Sequence, residues 1–289
     1  MTAGVLPIDK PSGPTSHDIV SQARRALHER RIGHTGTLDP FASGLLLLCV
    51  AGATRLAEYL TGLDKRYDAT VRLGVGTDTD DRCGVAVRED DAWRVCTEER
   101  LREALAELRG PVRQIPPAYS AKKISGERAY RMARRGEEVS LQAVDVVVHA
   151  LTLRSVSLPF VELSVHCSSG TYIRALARDL GRALGTCAHL SELRRTQVGP
   201  HSVAGALTPD ELDDAARVSG ALIAPLRALS HLRRIELDGE ALAGVRHGRP
   251  VAVGVETDDG LVAVADGADL VAVAEVRAGQ LRPRKVFSW

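Results

Sequence analysis

Apolar residues at Ile19, Val20, Ala23, Ala26 and Leu27 follow the 3.6-residue period, with Ser16 where an N-cap belongs. This predicts a first helix whose polar side carries Arg24, Arg25, Glu29, Arg30 and Arg31. In the Gly33-His34-Thr35-Gly36-Thr37-Leu38-Asp39-Pro40 segment that follows, two glycines and a proline preclude a regular element. The apolar run from Leu45 to Val50 then reads as a buried strand, so a charged loop is delivered onto a rigid apolar support.

Thr70 to Val75 alternates like a half-buried strand, with Val71, Leu73 and Val75 on one face, and leads into the acidic turn of Asp78, Asp80 and Asp81. Thr97 caps a predicted helix with Glu98 and Glu99 in its first turn and Leu101, Ala104, Leu105 and Leu108 along one side; Gly110-Pro111 ends it. Val161 to Cys167 alternates strictly, and after Ser168-Ser169-Gly170 a helix begins at Thr171-Tyr172-Ile173-Arg174 and runs to about Leu184, before Gly185. Pro209-Asp210-Glu211 opens another helical stretch. Beyond Ile235 come short Val/Ala strands (Val251 to Val255, Leu261 to Ala265, Leu270 to Val276) and a basic tail of Arg282, Arg284 and Lys285. The expected architecture is an α+β body over residues 1–230 with a small all-β module over residues 231–289.

Residues 115–140 differ in kind. Between Lys122 and Arg135 the cations Lys122, Lys123, Arg128, Arg131, Arg134 and Arg135 face one acid, Glu127, with Tyr119 and Tyr130 nearby. Phosphates need cations and unpaired bases need flat π faces, so this protruding segment suits nucleic acid, although a solvated helix face has the same texture.

Composition narrows the picture. Across 289 residues, 38 Lys and Arg balance 37 Asp and Glu, so any polyanion must be met by a local patch. The five cysteines never form a C-x-x-C pair, and no His/Cys cluster is visible, which argues against a zinc module and a disulfide framework and for a reducing cytoplasm. The longest apolar run, Leu45 to Ala51, is far short of the roughly 20 residues a bilayer crossing needs, and no charged-then-apolar leader precedes Val5. The expectation is a protein that neither spans a membrane nor is exported.

Asp39, in a Gly/Pro-bounded loop against an apolar strand, suits a nucleophile or a general base; an ordinary turn aspartate before proline fits as well. Arg174 is one cation able to keep it ionised, or else a surface ion pair. His34 reads as an acid, a base, a wedge or a structural hydrogen-bonder, and Tyr67 and Tyr172 each as a stacking platform or as packing. Gly74-x-Gly76 lacks the third glycine of a dinucleotide loop.

GHTGTLDPFASGLLLL at residues 33–48 resembles the catalytic motif of the TruB family of tRNA pseudouridine synthases. DKPSGPTSHDIV at 9–20, KRYDATVRLGVGTDTDD at 65–81, IPPAYSAKKISGERAYRMARRGEEV at 115–139, GTYIRALARDLG at 170–181 and HLSELRRTQVG at 189–199 extend the likeness along most of the chain. The resemblance implies a mixed, mainly antiparallel sheet with flanking helices and a C-terminal PUA-like domain. It implies isomerisation of uridine 55 in the tRNA T loop, without cofactor or metal, by a cytoplasmic monomer. On it, Asp39 is the nucleophile, His34 fills the space left by the flipped nucleotide, and Tyr67 stacks on the uracil. Tyr172 and Leu193 line the base pocket, Arg174 pairs with Asp39, and Lys122, Lys123, Arg131 and Arg134 grip the RNA backbone from a thumb segment. Attack at C6, attack at C1′ and a glycal route all stay open. A tRNA-folding factor, a guided uridine isomerase and an aspartate-dependent hydrolase are the rival readings.

Overall fold

A computed structural model describes residues 2–120, 122–124, 127–129, 132, 135, 137, 139, 141–254 and 258–289. The Ser43–Val50 strand is apolar without alternation because both of its faces are covered. Leu45, Leu47 and Cys49 enter one core. Leu46, Leu48 and Val50 enter another, with Ile19, Val20 and Ala23 of the Ser16–Ala26 helix. This strand belongs to a nine-stranded sheet whose main order is Gly4–Lys10, Ser43–Val50, Ala188–Val198, Lys65–Leu73, Phe160–Cys167, Val144–Ser157 and Gly110–Gln114. All these pairings are antiparallel except Ser43 and Gly44 against Arg194 and Arg195. Gly44, at φ +101°, permits that close approach: a Cβ there would lie 2.2 Å from the Arg195 carbonyl oxygen.

Two helices, Glu98–Glu107 and Ile173–Ala183, cover the far half of the sheet. Leu101, Leu105, Ile173, Leu176 and Leu180 pack there on Val71, Leu73, Val161, Leu163 and Val165. Each such side chain, fully buried, contributes roughly 1.5–3 kcal/mol of hydrophobic stabilisation. Thr97 caps its helix as expected, accepting from the Arg100 amide. Among the described residues no helix is long and apolar enough to cross a membrane.

Several local expectations change. The first helix is capped by Thr15, in a capping box with Asp18, because the Ser16 hydroxyl is turned inward. The strand expected from Thr70 begins at Lys65, since Lys65 and Tyr67 continue the buried series, and it ends at Leu73 before Gly74 at φ +81°. Helix Glu98–Glu107 stops earlier than expected, and Gly110-Pro111 starts a strand. His34 ends a short strand, Ile32–His34, paired with Leu48 to Val50. Pro209–Asp213 is a 3-10 turn, and the α-helix follows at Ala215–Ala221.

The C-terminal unit is a five-stranded sheet in the order Arg233–Glu236, Gly260–Asp266, Asp269–Arg277, Gln280–Val286 and Val251–Ala252. One side holds its own core of Val245, Val262, Val264 and Leu281. The other side sends Ala263, Ala265, Leu270, Val273 and Phe287 into the core that holds Leu45 and Leu47. The basic tail is thus a strand with engaged charges: Arg284 pairs with Glu275, and Lys285 with Glu58 of the main body.

Candidate active site

The loop around Asp39 is fastened, carbonyl by carbonyl, to residues 10–16. Ser16 Oγ donates to the Leu38 carbonyl at 3.0 Å and accepts from the Leu38 amide at 2.8 Å. The Pro40 carbonyl accepts from the Gly13 amide at 2.8 Å and from Lys10 Nζ at 3.3 Å, and Ser12 Oγ donates to the Phe41 carbonyl at 2.9 Å. Lys10 is fully buried and also donates to the carbonyls of Pro11 and Pro14; burial lowers its pKa to about 8. Every backbone oxygen flanking Asp39 is therefore occupied, which holds the carboxylate in one place.

Arg174, one residue into its helix and 5% exposed, reaches Asp39 with Nε at 2.9 Å from Oδ2. Its other nitrogens meet Asp81 Oδ2 at 3.3 Å, the Thr79 carbonyl at 2.9 Å and the Tyr119 carbonyl at 2.9 Å. One guanidinium thus bridges two carboxylates. Asp81 is itself buried and accepts from Thr79 Oγ1 and the Cys83 amide. One turn along the helix, Arg178 pairs with Asp80 at 2.7 Å. Burial raises the Asp39 pKa above its ordinary value, Arg174 pulls it down, and Asp81 pushes it up.

Asp39 opens into a cavity of about 250 Å³ lined also by Tyr67, Tyr172, Leu193, Arg174 and Arg195. Tyr67 pairs with Arg195, and Ala69 with Leu193, across adjacent strands. Arg195 is buried and donates to the carbonyls of Leu45 and Gly36 at 2.7 and 3.0 Å. Burial raises the Tyr67 phenol above its ordinary pKa, with Arg195 beside it acting the other way. Tyr172 is held by its backbone, its amide donating to Gln114 Oε1 at 2.8 Å and its carbonyl accepting from Gln114 Nε2 at 3.0 Å. Lys65 closes one end, donating to the carbonyls of Thr61 and Leu63 and to Ser169 Oγ.

Five of the expected residues, Asp39, Tyr67, Tyr172, Arg174 and Leu193, therefore share one cavity. His34 does not line it: it sits beside the loop, its Nδ1 accepting from the Gly36 amide at 3.3 Å. Burial, with Arg195 and His17, keeps that imidazole below its ordinary pKa. Lys122 is exposed and Lys123 enters a short strand pairing with Glu127–Arg128, whereas Arg131 and Arg134 lie outside the described residues. Lys10, Asp81, Gln114 and Arg195 were not singled out as site residues. For Asp81 a signal existed: Arg174 and Arg178, four apart on one helix face, match the adjacent acids Asp80 and Asp81.

A larger groove of about 480 Å³ adjoins the cavity at Leu193. Of its arginines, Arg154 pairs with Asp68 at 2.9 Å and Arg194 with Asp9 at 2.7 Å, while Arg82 donates to Ser12 Oγ at 3.0 Å.

The fold is of the pseudouridine synthase type. It superposes on a chain of a Cbf5-Nop10-Gar1 complex with a TM-score of 0.77 and 27% identity, covering 99% of this chain and 85% of that one. A chain of an H/ACA RNP bound to a substrate RNA containing 2′-deoxyuridine gives 0.76 and 26%, with the same coverage. The sequence matches the model of the TruB family pseudouridylate synthase N-terminal domain over residues 24–173 and that of the tRNA pseudouridylate synthase B C-terminal domain over residues 174–229. It is 42% identical to tRNA pseudouridine synthase B of Arthrobacter sp. (strain FB24), covering all of this chain and 97% of the relative. With the namesake of Thermobifida fusca (strain YX) the figures are 44%, 100% and 99%. The chain belongs to the TruB family of tRNA pseudouridine synthases.

Proposed function

We propose that this protein converts uridine 55 in the T loop of tRNA to pseudouridine, with Asp39 as the nucleophile acting on a flipped-out base. The observation that carries the reading is a fixed, partly desolvated carboxylate paired with a buried arginine at the mouth of a cavity with tyrosine walls. At about 250 Å³ the cavity suits one pyrimidine better than the roughly 300–1,000 Å³ ligands of drug size occupy. Ser120, buried on its wall, sets a hydroxyl beside the Tyr172 phenol, a polar pair for an edge of the base.

The isomerisation leaves the composition of the uridine unchanged. The C1′–N1 bond breaks, the ring turns, and a C1′–C5 bond forms while C5 gives up its proton and N1 takes one up. A carboxylate held by Arg174 supports charge during the cleavage, and the enclosed walls keep water from the detached base. Turning the base out costs a few kcal/mol, offset by stacking on Tyr67 and by phosphate contacts. The backbone contacts fall to the thumb segment, Lys122, Lys123, Arg131 and Arg134. His34 fills the vacated stack, the C-terminal sheet serves as a PUA-like RNA contact, and the enzyme works as a cytoplasmic monomer.

The test is tritium release from a tRNA transcript labelled at C5 of uridine, followed by carbodiimide mapping. Wild type should release tritium with one block at position 55. Asp39→Asn should release none while binding tRNA within a few-fold of wild type. Release by Asp39→Asn near the wild-type rate would remove Asp39 from the nucleophile role, and a block elsewhere would change the substrate.

A further inference from the structure

Away from the cavity, three residues distant in sequence meet on the outer surface of the sheet. Asp64 directly precedes the Lys65–Leu73 strand, His166 lies in the Phe160–Cys167 strand, and His149 lies in the Val144–Ser157 strand. Asp64 Oδ2 is 3.1 Å from His149 Nε2 and 3.8 Å from His166 Nε2, and the three ligand atoms all lie within 4.8 Å of one another. The imidazole rings are tilted by 45° with centroids 4.8 Å apart.

We propose that Asp64, His149 and His166 form a binding site for a divalent transition-metal ion of the zinc class.

Three lines of geometry support it. The first is spacing. Tetrahedral ligands at about 2.0–2.1 Å from zinc stand about 3.3–3.4 Å apart, and the two Asp64 distances bracket that value. The second is backbone design. The strand register passes from Val148 opposite Cys167 to Ala150 opposite His166, so His149 is the extra residue of a β-bulge, a device that re-aims a side chain. The Asp64 backbone is fixed too, its carbonyl accepting from the Gly199 amide at 2.8 Å. The third is charge. An ordinary ion pair needs one imidazolium per carboxylate, whereas here both Nε2 atoms converge on the same oxygen. Two imidazolium ions would repel one another at this distance, and one divalent cation satisfies all three groups. The two imidazole ligands select zinc, nickel or copper over calcium or magnesium. The three side chains are partly exposed, which leaves an entry path and an open fourth position.

The site lies outside the reaction. Asp64 adjoins Lys65, and His166 is three residues before Ser169, so a bound ion would tie together two segments that line the cavity.

The experiment is calorimetric titration of the tag-free, chelator-stripped full chain with zinc chloride, with cobalt(II) absorption as the spectroscopic readout. One zinc per chain is expected, with visible cobalt bands and no thiolate charge-transfer band. Asp64→Asn, His149→Gln and His166→Gln should each weaken binding by at least about 10-fold, the lower range seen when even an outer-shell partner is removed. Cys83→Ser, which changes an exposed thiol, should bind like wild type. Circular dichroism and zinc-free turnover of the three variants should match wild type, which separates this site from the catalytic reading. A flat wild-type titration in large zinc excess, or binding lost with Cys83 and retained in the histidine variants, would overturn the proposal.

Discussion

Arg174 holds Asp39 by Nε at 2.9 Å while Asp81 sits 3.3 Å from another nitrogen of the same guanidinium. The buried cation is shared, so Asp39 receives only part of its charge. Burial raises its carboxyl above the ordinary aspartate pKa, and this shared pairing offsets the rise only in part.

The acid limb of the pH–activity profile follows from that balance. A protonated carboxyl cannot act as a nucleophile, so activity rises with pH as Asp39 ionises, and its raised pKa places the limb above the ~3.9 of a free aspartate. Arg174 lowers the Asp39 pKa, so Arg174→Gln should move the limb upward as well as reduce the rate. The measurement is single-turnover tritium release from pH 4.5 to 8.5, and an unmoved limb would mean that Asp39 is not the titrating group.

Tyr67 is buried with its phenol pKa pushed up, so the resting enzyme presents a neutral hydroxyl over the cavity. Tyr67→Phe keeps the flat ring and should leave tRNA affinity unchanged. If the hydroxyl takes part in proton transfer, product formation slows by about 100-fold or more, within the range of general acid–base catalysis. A variant with the wild-type rate of pseudouridine formation would restrict Tyr67 to stacking.

Gln114→Met preserves side-chain bulk but leaves the Tyr172 amide without its partner, while the Tyr172 carbonyl keeps the Leu176 amide at 3.1 Å. Unpaired buried groups of this kind cost about 1–3 kcal/mol, so the urea midpoint should fall accordingly. KM for tRNA should rise more than kcat falls, because the loss is in the placement of a wall and the nucleophile is untouched.

Neutralising Lys122, Lys123, Arg131 and Arg134 together should weaken tRNA binding and reduce the slope of log K against log salt by on the order of 3, from about 0.7 per phosphate contact. Filter binding at several salt concentrations measures it. A slope equal to wild type would remove the thumb from the phosphate contacts.

The residues legible in the sequence are those whose local pattern carries their meaning. Leu45 to Val50 lacks alternation because both faces are covered, and Thr97 caps its helix through a contact three residues away. Tyr67 and Arg174 were candidates from residue chemistry and Leu193 from motif resemblance, and the fold then gave them a common cavity. Gln114 and Arg195 were missed because their partners lie 58 and 150 or more residues away, and Lys10 because the contact that ties it to the Asp39 loop, to the Pro40 carbonyl, spans 30. Ser16 misled for a related reason: a good capping residue was drawn off by the Leu38 backbone, 22 residues on. Asp64, His149 and His166 likewise show no spacing motif, because a strand bulge brings them together.

The apolar layer shared by Leu45, Leu47, Leu270 and Phe287 has a consequence for how the molecule comes apart. A strand whose opposite sides serve two cores couples their melting, so the C-terminal sheet and the platform beneath the catalytic loop should unfold in one cooperative transition. A chain cut near residue 230 would leave that layer wet and prone to self-association. The last sixty residues are therefore less an exchangeable accessory than part of the foundation.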